Sequence, residues 1–187
     1  MRLLPNILTV SRCLVVVAIA LCLAWPFGEL RTAALILFVV AAVTDWLDGF
    51  LARALSVTSD FGRMLDPIAD KLLFAVTALM LCANGTIDGF NAFAAAMILA
   101  REIAIAGLRE HLGARGVTVP ASLLAKWKTT VQLVALALLL AAPLLPLSET
   151  VKVLGLLGLW AAMVMTIWTG GQYAWAARAA WGKETAP

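Results

Sequence analysis

Four aspartates between positions 45 and 70 are the side chains in this sequence best suited to chemistry. Asp45, Asp48, Asp66 and Asp70 lie within or beside strongly hydrophobic segments. An ionisable side chain at the centre of a bilayer costs about 2.5–3.5 kcal/mol on insertion scales, so such residues usually have a function. Four neighbouring carboxylates also repel one another unless a cation lies between them. Oxygen ligands of this kind suit Mg²⁺ or Mn²⁺, and two divalent ions would neutralise the four charges.

A structural interpretation of these aspartates competes with the metal site. Asp45 and Asp48 could be polar packing residues, and Asp66 could simply cap a helix that starts at Pro67. That interpretation explains one aspartate well and four aspartates badly. The spacing therefore favours a metal site.

Helical spacing would place the aspartates in two pairs. Asp45, Asp48, Gly49 and Ala52 fall on one face of a helix at 100° per residue, and Asp66 and Asp70 are one turn apart on the next helix. We expect the two helices to be antiparallel neighbours, so that the pairs face each other. Asp45 lies about 12 Å deeper than Arg53 at 1.5 Å per residue, which predicts a pocket recessed below the cytoplasmic surface.

Composition excludes an ordinary soluble domain. Of the 187 residues, 63% are hydrophobic and 13% are charged, with a mean hydropathy of +0.97. A soluble domain would be about half apolar and a quarter charged. The three cysteines lie in apolar runs without metal-ligand spacing and are interpreted as small core residues. The sequence predicts an all-α polytopic membrane protein that forms a single domain over residues 1–187.

Six hydrophobic segments are expected to be transmembrane helices. They cover residues 6–26, 32–53, 67–83, 92–111, 127–145 and 151–177. Asn84-Gly85 indicates a turn after the third segment. Small residues at Gly155, Gly158, Ala161 and Ala162 predict close helix packing along the sixth.

The basic residues lie at alternate gaps between these segments. The crowded gaps hold Arg2, Arg12, Arg53, Arg63, Lys71, Arg109, Arg115, Lys126, Lys128, Arg178 and Lys183, whereas the others hold only Arg31 and Lys152. The positive-inside rule makes the crowded side cytoplasmic. With six spans, both termini are then cytoplasmic.

The aspartate array resembles the signature of a known enzyme family. The pattern D-x2-D-G-x2-A-R-x8-G-x3-D-x3-D is that of the CDP-alcohol phosphatidyltransferase family, and all eight specified residues are present. The resemblance extends to residues 5–9 with Arg12, 42–46, 66–71, 101–102, 108–110 and 126–132, and so covers nearly the whole chain. Within the family, the chain is most similar to the bacterial members that make phosphatidylglycerophosphate.

The resemblance implies an enzyme that transfers the phosphatidyl group of CDP-diacylglycerol to an alcohol and releases CMP. In the members that the chain resembles most, the alcohol is the 1-hydroxyl of sn-glycerol 3-phosphate, and the product leads to phosphatidylglycerol and cardiolipin. The resemblance also implies a bacterial inner-membrane location with the active site facing the cytoplasm, and a homodimer. The expected partners are the two substrates and membrane lipid, without nucleic acid.

The family assigns roles to residues of the array and its surroundings. Two divalent ions, Mg²⁺ or Mn²⁺, would be held by Asp45, Asp48, Asp66 and Asp70, and Asp70 would also be the general base. The residues expected to line the CDP side are Asn6, Thr44, Asp45, Asp48, Gly49, Ala52, Arg53 and Gly62.

A phosphorylated acceptor would need fixed cations near the metals. The candidates are Arg63, Arg101, Arg109, Lys126 and Lys128. Arg101 lies inside an apolar helix, where a charge is energetically costly and therefore usually functional. Guanidinium groups suit a phosphate monoester. Two alternatives stay open: Glu102 and Arg109 could simply pair with other side chains, and the lysines could lie beside lipid headgroups.

Other functions are weaker alternatives. A relative in the same family could use serine, inositol phosphate or phosphatidylglycerol as its acceptor, although an uncharged alcohol would need fewer cations. A divalent-cation transporter could also use clustered aspartates. It would need acidic residues through the bilayer or at both mouths, whereas here they lie toward one face beside basic residues, which would repel an entering cation.

Overall fold

A computed structural model describes the chain over residues 3–25, 30–55, 60–114 and 123–184, and side chains over 11–25, 30–44, 71–113 and 127–178. Within these ranges the protein is all-helical, with six α-helices, one short 3₁₀ helix and no strand. The helices are α1 Leu3–Ala24, α2 Arg31–Leu55, α3 Asp60–Ala83, α4 Asn91–Ala114, α5 Leu123–Ala141 and α6 Ser148–Glu184, with the 3₁₀ helix at Ala142–Leu144. Each of the six predicted segments corresponds to one α-helix.

The start of α3 differs from the sequence prediction. The helix begins at Asp60, so the predicted start at Pro67 is wrong. Proline lacks an N–H group and cannot donate to the carbonyl four residues earlier, which is why Asp66-Pro67 resembled a helix start. The residues before it include Met64 and Leu65, which favour helix and extend it by almost two turns toward the N-terminus.

Three stretches of the described chain are long and apolar enough to cross a membrane. They are Asn91–Gly113, Trp127–Leu144 and Ser148–Arg178, and shorter apolar helices cover Ser11–Ala24, Arg31–Thr44 and Lys71–Ala83. Large apolar side chains point outward from several helices, including Leu21, Leu79, Val134 and Leu157. An outer surface with many exposed large apolar side chains suits lipid.

The bundle is held together by two sets of helix contacts. Helix α1 packs against both α2 and α3, while α6 packs against α5 and α4. The core between them contains Ile19, Phe38, Leu81, Ile98 and Leu136, all of which are fully buried. Helices α2 and α3 also contact α5, so one continuous core connects the two sets.

Helices α5 and α6 approach closely because glycines of α6 face α5. A Cβ atom on Gly155 would lie 2.8 Å from Cγ of Leu139, and one on Gly158 would lie 3.1 Å from Cβ of Ala135. The predicted close packing is confirmed at these glycines and at Ala162, which is fully buried. Ala161 is exposed and takes no part in it.

Polar contacts gather the α1–α2, α3–α4 and α5–α6 connections at one end of the bundle. Arg31 donates to Thr86 Oγ1 at 2.8 Å and to the carbonyl oxygens of Leu139 and Leu140 at the end of α5, at 3.1 and 3.2 Å. Lys152 contacts Asp88 at 3.5 Å. These are the connections that carry few basic residues, so their grouping agrees with the predicted alternation.

The α3–α4 connection at this end contains the predicted turn. Gly85 has φ of +73°, a left-handed conformation that favours glycine, and Asn84 Oδ1 accepts from the backbone N–H of Thr86 at 3.2 Å. A hydrogen bond from Asn91, together with the charge of Lys152, lowers the pKa of the Asp88 carboxyl. The Asn84-Gly85 turn is therefore confirmed.

Candidate active site

The aspartate array occupies the end of α2 and the start of α3, at the opposite end of the bundle. Residues 45–53 lie in the last turns of α2, and residues 62–70 lie in the first turns of α3. The connection between them is only residues 56–59, which keeps both halves of the array at the same end. Because both helices are continuous there, Asp45 and Asp48 lie about one turn apart on α2, as do Asp66 and Asp70 on α3.

The donor set of the array fits a divalent metal. Four carboxylates on two helix ends that are consecutive in the chain would supply hard oxygen ligands, which Mg²⁺ and Mn²⁺ prefer. Among the side chains that the structure describes, no other group of three potential ligands could hold a metal ion. The four aspartates lie outside the described side chains, and so do Asn6, Gly49, Ala52, Arg53, Gly62, Arg63 and Lys126. Their roles stay predictions.

Thr44 precedes the array and is the one predicted CDP-side residue whose side chain is described. Its hydroxyl donates to the carbonyl of Val40 at 2.6 Å, within α2. This bond satisfies the hydroxyl proton but leaves the oxygen able to accept from a ligand.

Three charged side chains form a cluster between α4 and α5. Glu102 accepts from Arg101 Nη1 at 3.1 Å through Oε1, and the same oxygen contacts Lys128 Nζ. The side chains of Arg101, Glu102 and Lys128 are only 13%, 19% and 7% exposed. Two cations share one carboxylate, so the cluster carries a net charge of +1 in a largely buried setting. We call it the Arg101 cluster.

Helix α6 completes the surroundings of Arg101. Thr169 Oγ1 accepts from Arg101 Nη2 at 3.0 Å and donates to the carbonyl of Met165 at 2.8 Å. Gln132 lies one turn after Lys128 on α5 and donates to Thr166 Oγ1 at 2.9 Å. Hydroxyl groups of α6 thus bond to both helices that carry the cluster.

Arg109 lies farther along α4 and has a different environment. Its guanidinium carbon lies 5.6 Å from the centre of the Tyr173 ring, a cation–π distance. Tyr173 is buried against Leu112 and Ala177, whereas Arg109 itself is exposed. The structure therefore brings Arg101 and Lys128 together and leaves Arg109 outside their cluster.

The two open alternatives for the cations can now be judged from their contacts. Glu102 does pair with two of the predicted cations, and yet it neutralises only one of their charges. Lys128 is buried against Glu102, so it does not lie at a lipid headgroup. Within the described part of the chain, Arg109 pairs with the aromatic ring of Tyr173.

Sequence reasoning missed the contribution of α6. Thr166, Thr169, Gly170 and Tyr173 recur at spacings of three, four and seven residues, and so form one stripe along the helix. Polar side chains on one face of a strongly apolar helix were the available signal. It was hidden because threonine and glycine are common in membrane helices and carry no charge.

Comparison with known sequences assigns this all-helical membrane protein to a class of enzymes that transfer phosphatidyl groups. The family model of the CDP-alcohol phosphatidyltransferases matches residues 2–168. The chain belongs to this family.

Similar curated proteins from bacteria share one name, CDP-diacylglycerol–glycerol-3-phosphate 3-phosphatidyltransferase. The protein of Rickettsia typhi is 39% identical over 173 residues, which are 92% of this chain and 96% of the relative. That of Sodalis glossinidius is 40% identical over 178 residues, 94% of each chain. That of Shigella flexneri is 41% identical over 179 residues, 94% of this chain and 95% of the relative.

Proposed function

We propose that the protein transfers the phosphatidyl group of CDP-diacylglycerol to the 1-hydroxyl of sn-glycerol 3-phosphate, giving phosphatidylglycerophosphate and CMP. The observation that carries this proposal is similarity at about 40% identity, over more than nine-tenths of the chain, to bacterial proteins named for that reaction. The reaction begins the synthesis of phosphatidylglycerol and cardiolipin.

The Arg101 cluster supports a phosphorylated acceptor. A net positive charge that is largely shielded from water is costly unless an anion compensates it. A phosphate monoester supplies that anion, and a guanidinium can bind two of its oxygens at once. An uncharged alcohol would leave the charge uncompensated. Arg101 and Lys128 are therefore the proposed core of the acceptor site, with Arg63, Arg109 and Lys126 as further candidates.

The aspartates carry the proposed chemistry at the pyrophosphate. Asp45, Asp48, Asp66 and Asp70 would hold two Mg²⁺ or Mn²⁺ ions, which supply charge neutralisation for the pyrophosphate when bound. The 1-hydroxyl oxygen forms a bond to the phosphorus that carries the diacylglycerol, the bond from this phosphorus to the CMP oxygen breaks, and Asp70 accepts the hydroxyl proton. The small residues Gly49 and Ala52 would let the nucleotide lipid approach α2 closely.

A membrane arrangement is proposed from the distribution of the charged residues. We propose six spans in a bacterial inner membrane, with both termini and the aspartate array on the cytoplasmic side, where sn-glycerol 3-phosphate is available. The alternation of basic residues supports this orientation. A homodimer is proposed from the family resemblance. The lipid tails must stay in the bilayer during the reaction, so the pocket has to open sideways between helices.

An acceptor assay tests the proposed function. Purified protein with Mg²⁺ or Mn²⁺ and CDP-diacylglycerol should release CMP when given sn-glycerol 3-phosphate, and far less when given serine or inositol phosphate. Asp70→Asn should abolish release while leaving binding of the nucleotide lipid measurable. Release with serine alone would contradict the acceptor, and near-normal turnover of Asp70→Asn would contradict the base.

A further inference from the structure

The backbone of α6 passes directly against the side chain of Arg101 at Gly170. A Cβ atom at this position would lie 2.7 Å from Arg101 Nε and 3.1 Å from its Cγ. Real Cβ atoms do not approach other atoms so closely, so any larger residue would force Arg101 to move. Gly170 is buried, and its missing side chain makes the space that the guanidinium stem occupies.

Thr169 holds the other side of the same guanidinium. Its hydroxyl accepts from Nη2, while its own proton is directed toward the backbone carbonyls of Met165 and Thr166, which leaves the oxygen lone pairs to Arg101. Nη1 is held by Glu102. Among the described atoms, Arg101 Nε is buried and has no hydrogen-bond partner. Arg101 is therefore hydrogen-bonded at both terminal nitrogens, and its aliphatic stem is packed against the backbone of Gly170.

The same helix also bonds to α5, one turn away from the second cation of the cluster. Thr166 lies one turn before Thr169 and Gly170 and accepts from Gln132, which is one turn from Lys128. Helix α6 carries no charged side chain into the Arg101 cluster among the residues described, yet it contacts both helices that do. Its contribution is geometric.

We propose that Thr169 and Gly170 are positioning residues that hold Arg101 in the orientation needed to bind the phosphate of the acceptor. An arginine side chain loses conformational entropy when it binds an anion. A guanidinium that is already held in place loses less of this entropy on binding. The inference rests on the proposed acceptor role of Arg101. It adds α6 to the site, with residues just beyond the stretch that the family model matches.

The adjacent glycines of α6 supply a matched test. Gly170→Ala introduces a methyl group against Arg101, whereas Gly171→Ala introduces one where nothing lies within 4 Å. Both changes have the same small helix-favouring effect on the backbone. We expect Gly170→Ala to raise the KM for sn-glycerol 3-phosphate about tenfold or more, with the KM for CDP-diacylglycerol changed less than about twofold. Gly171→Ala should leave both constants at wild-type values.

A second pair of variants tests the hydrogen bond without adding bulk at the glycine. Thr169→Val keeps the shape and removes the hydroxyl, while Thr169→Ser keeps the hydroxyl. We expect Thr169→Val to raise the KM for sn-glycerol 3-phosphate about five- to tenfold and Thr169→Ser to restore it. This pair still tests whether α6 positions Arg101 if Gly170→Ala does not fold. Thermal unfolding of each purified variant shows whether the fold is intact.

The outcomes separate this inference from the proposed function. If wild-type protein transfers to sn-glycerol 3-phosphate but Gly170→Ala and Gly171→Ala have the same KM, or Thr169→Val binds the acceptor normally, α6 does not position Arg101. If loss of activity in the folded variants falls equally on both substrates, the role is general packing and the inference is wrong. If wild-type protein does not use sn-glycerol 3-phosphate at all, the proposed function fails and the inference fails with it.

Discussion

At the scale of single residues, we expect a substitution of Glu102 to lower the free energy of unfolding strongly. Its carboxylate lies between Arg101 and Lys128, and all three side chains are mostly buried. Removing a partner from a buried ionic group leaves an uncompensated charge, which costs much more than the intact group contributes. Here the loss of one carboxylate would leave two like charges side by side.

A double-mutant cycle tests this account. Glu102→Gln should destabilise the protein by about 3 kcal/mol, because both cations then repel each other without a counter-charge. Glu102→Gln combined with Lys128→Met removes one of those cations and should recover most of the loss, even though it changes two buried residues. Thermal unfolding in one detergent compares the stability of the wild type, Glu102→Gln, Lys128→Met and the double variant. A double variant less stable than Glu102→Gln would contradict the proposed charge balance.

At the scale of helices, the sequence predicted the number and approximate positions of the elements because apolar segments in membranes are long and clearly bounded. Five predicted starts lie within about four residues of the observed helix starts, within the usual uncertainty of helix boundaries. The exception is α3, where an Asp-Pro pair resembled a start. Proline also occurs inside helices, and the sequence pattern alone does not separate the two cases.

The site was predicted unevenly for a related reason. A charged residue inside an apolar helix is conspicuous, so Arg101 could be selected from the sequence, and Lys128 was a candidate because it opens the next helix on the same side. The bond of their shared partner Glu102 to Lys128 connects different helices, and the pairing depends on how α4 and α5 are both placed against α6. Thr169 and Gly170 offered only a weak signal, their place on one face of α6, since their importance arises from contact across helices and not from their charge.

At the scale of the whole molecule, the two ends of the bundle have different characters. Arg31, Thr86, Asp88 and Lys152 lie at one end, and the helix ends that carry the aspartates lie at the other. Helix α4 connects the two ends and is one of the stretches able to cross a membrane. Its flanking residues should therefore be on opposite sides of the membrane.

Cysteine labelling tests this orientation. In a variant in which Cys13, Cys22 and Cys82 are replaced by alanine, Asp88→Cys should react with a membrane-impermeant maleimide in right-side-out vesicles. Gly113→Cys should react only in inverted vesicles, because the basic end is expected to be cytoplasmic. Both positions are exposed in the structure. Labelling of both from the same side would show that α4 does not span the membrane, and the reverse pattern would place the aspartates outside.

The central claim is that the enzyme binds sn-glycerol 3-phosphate through Arg101. The most direct measurement is incorporation of labelled sn-glycerol 3-phosphate into lipid by purified wild-type protein and by Arg101→Gln, with CDP-diacylglycerol as donor. We expect wild-type protein to form phosphatidylglycerophosphate in equal amount to CMP. Arg101→Gln should lower kcat/KM for the acceptor about 100-fold while leaving the KM for the donor nearly unchanged. Wild-type protein that puts no label into lipid, or an Arg101→Gln variant as efficient as wild type, would contradict the claim.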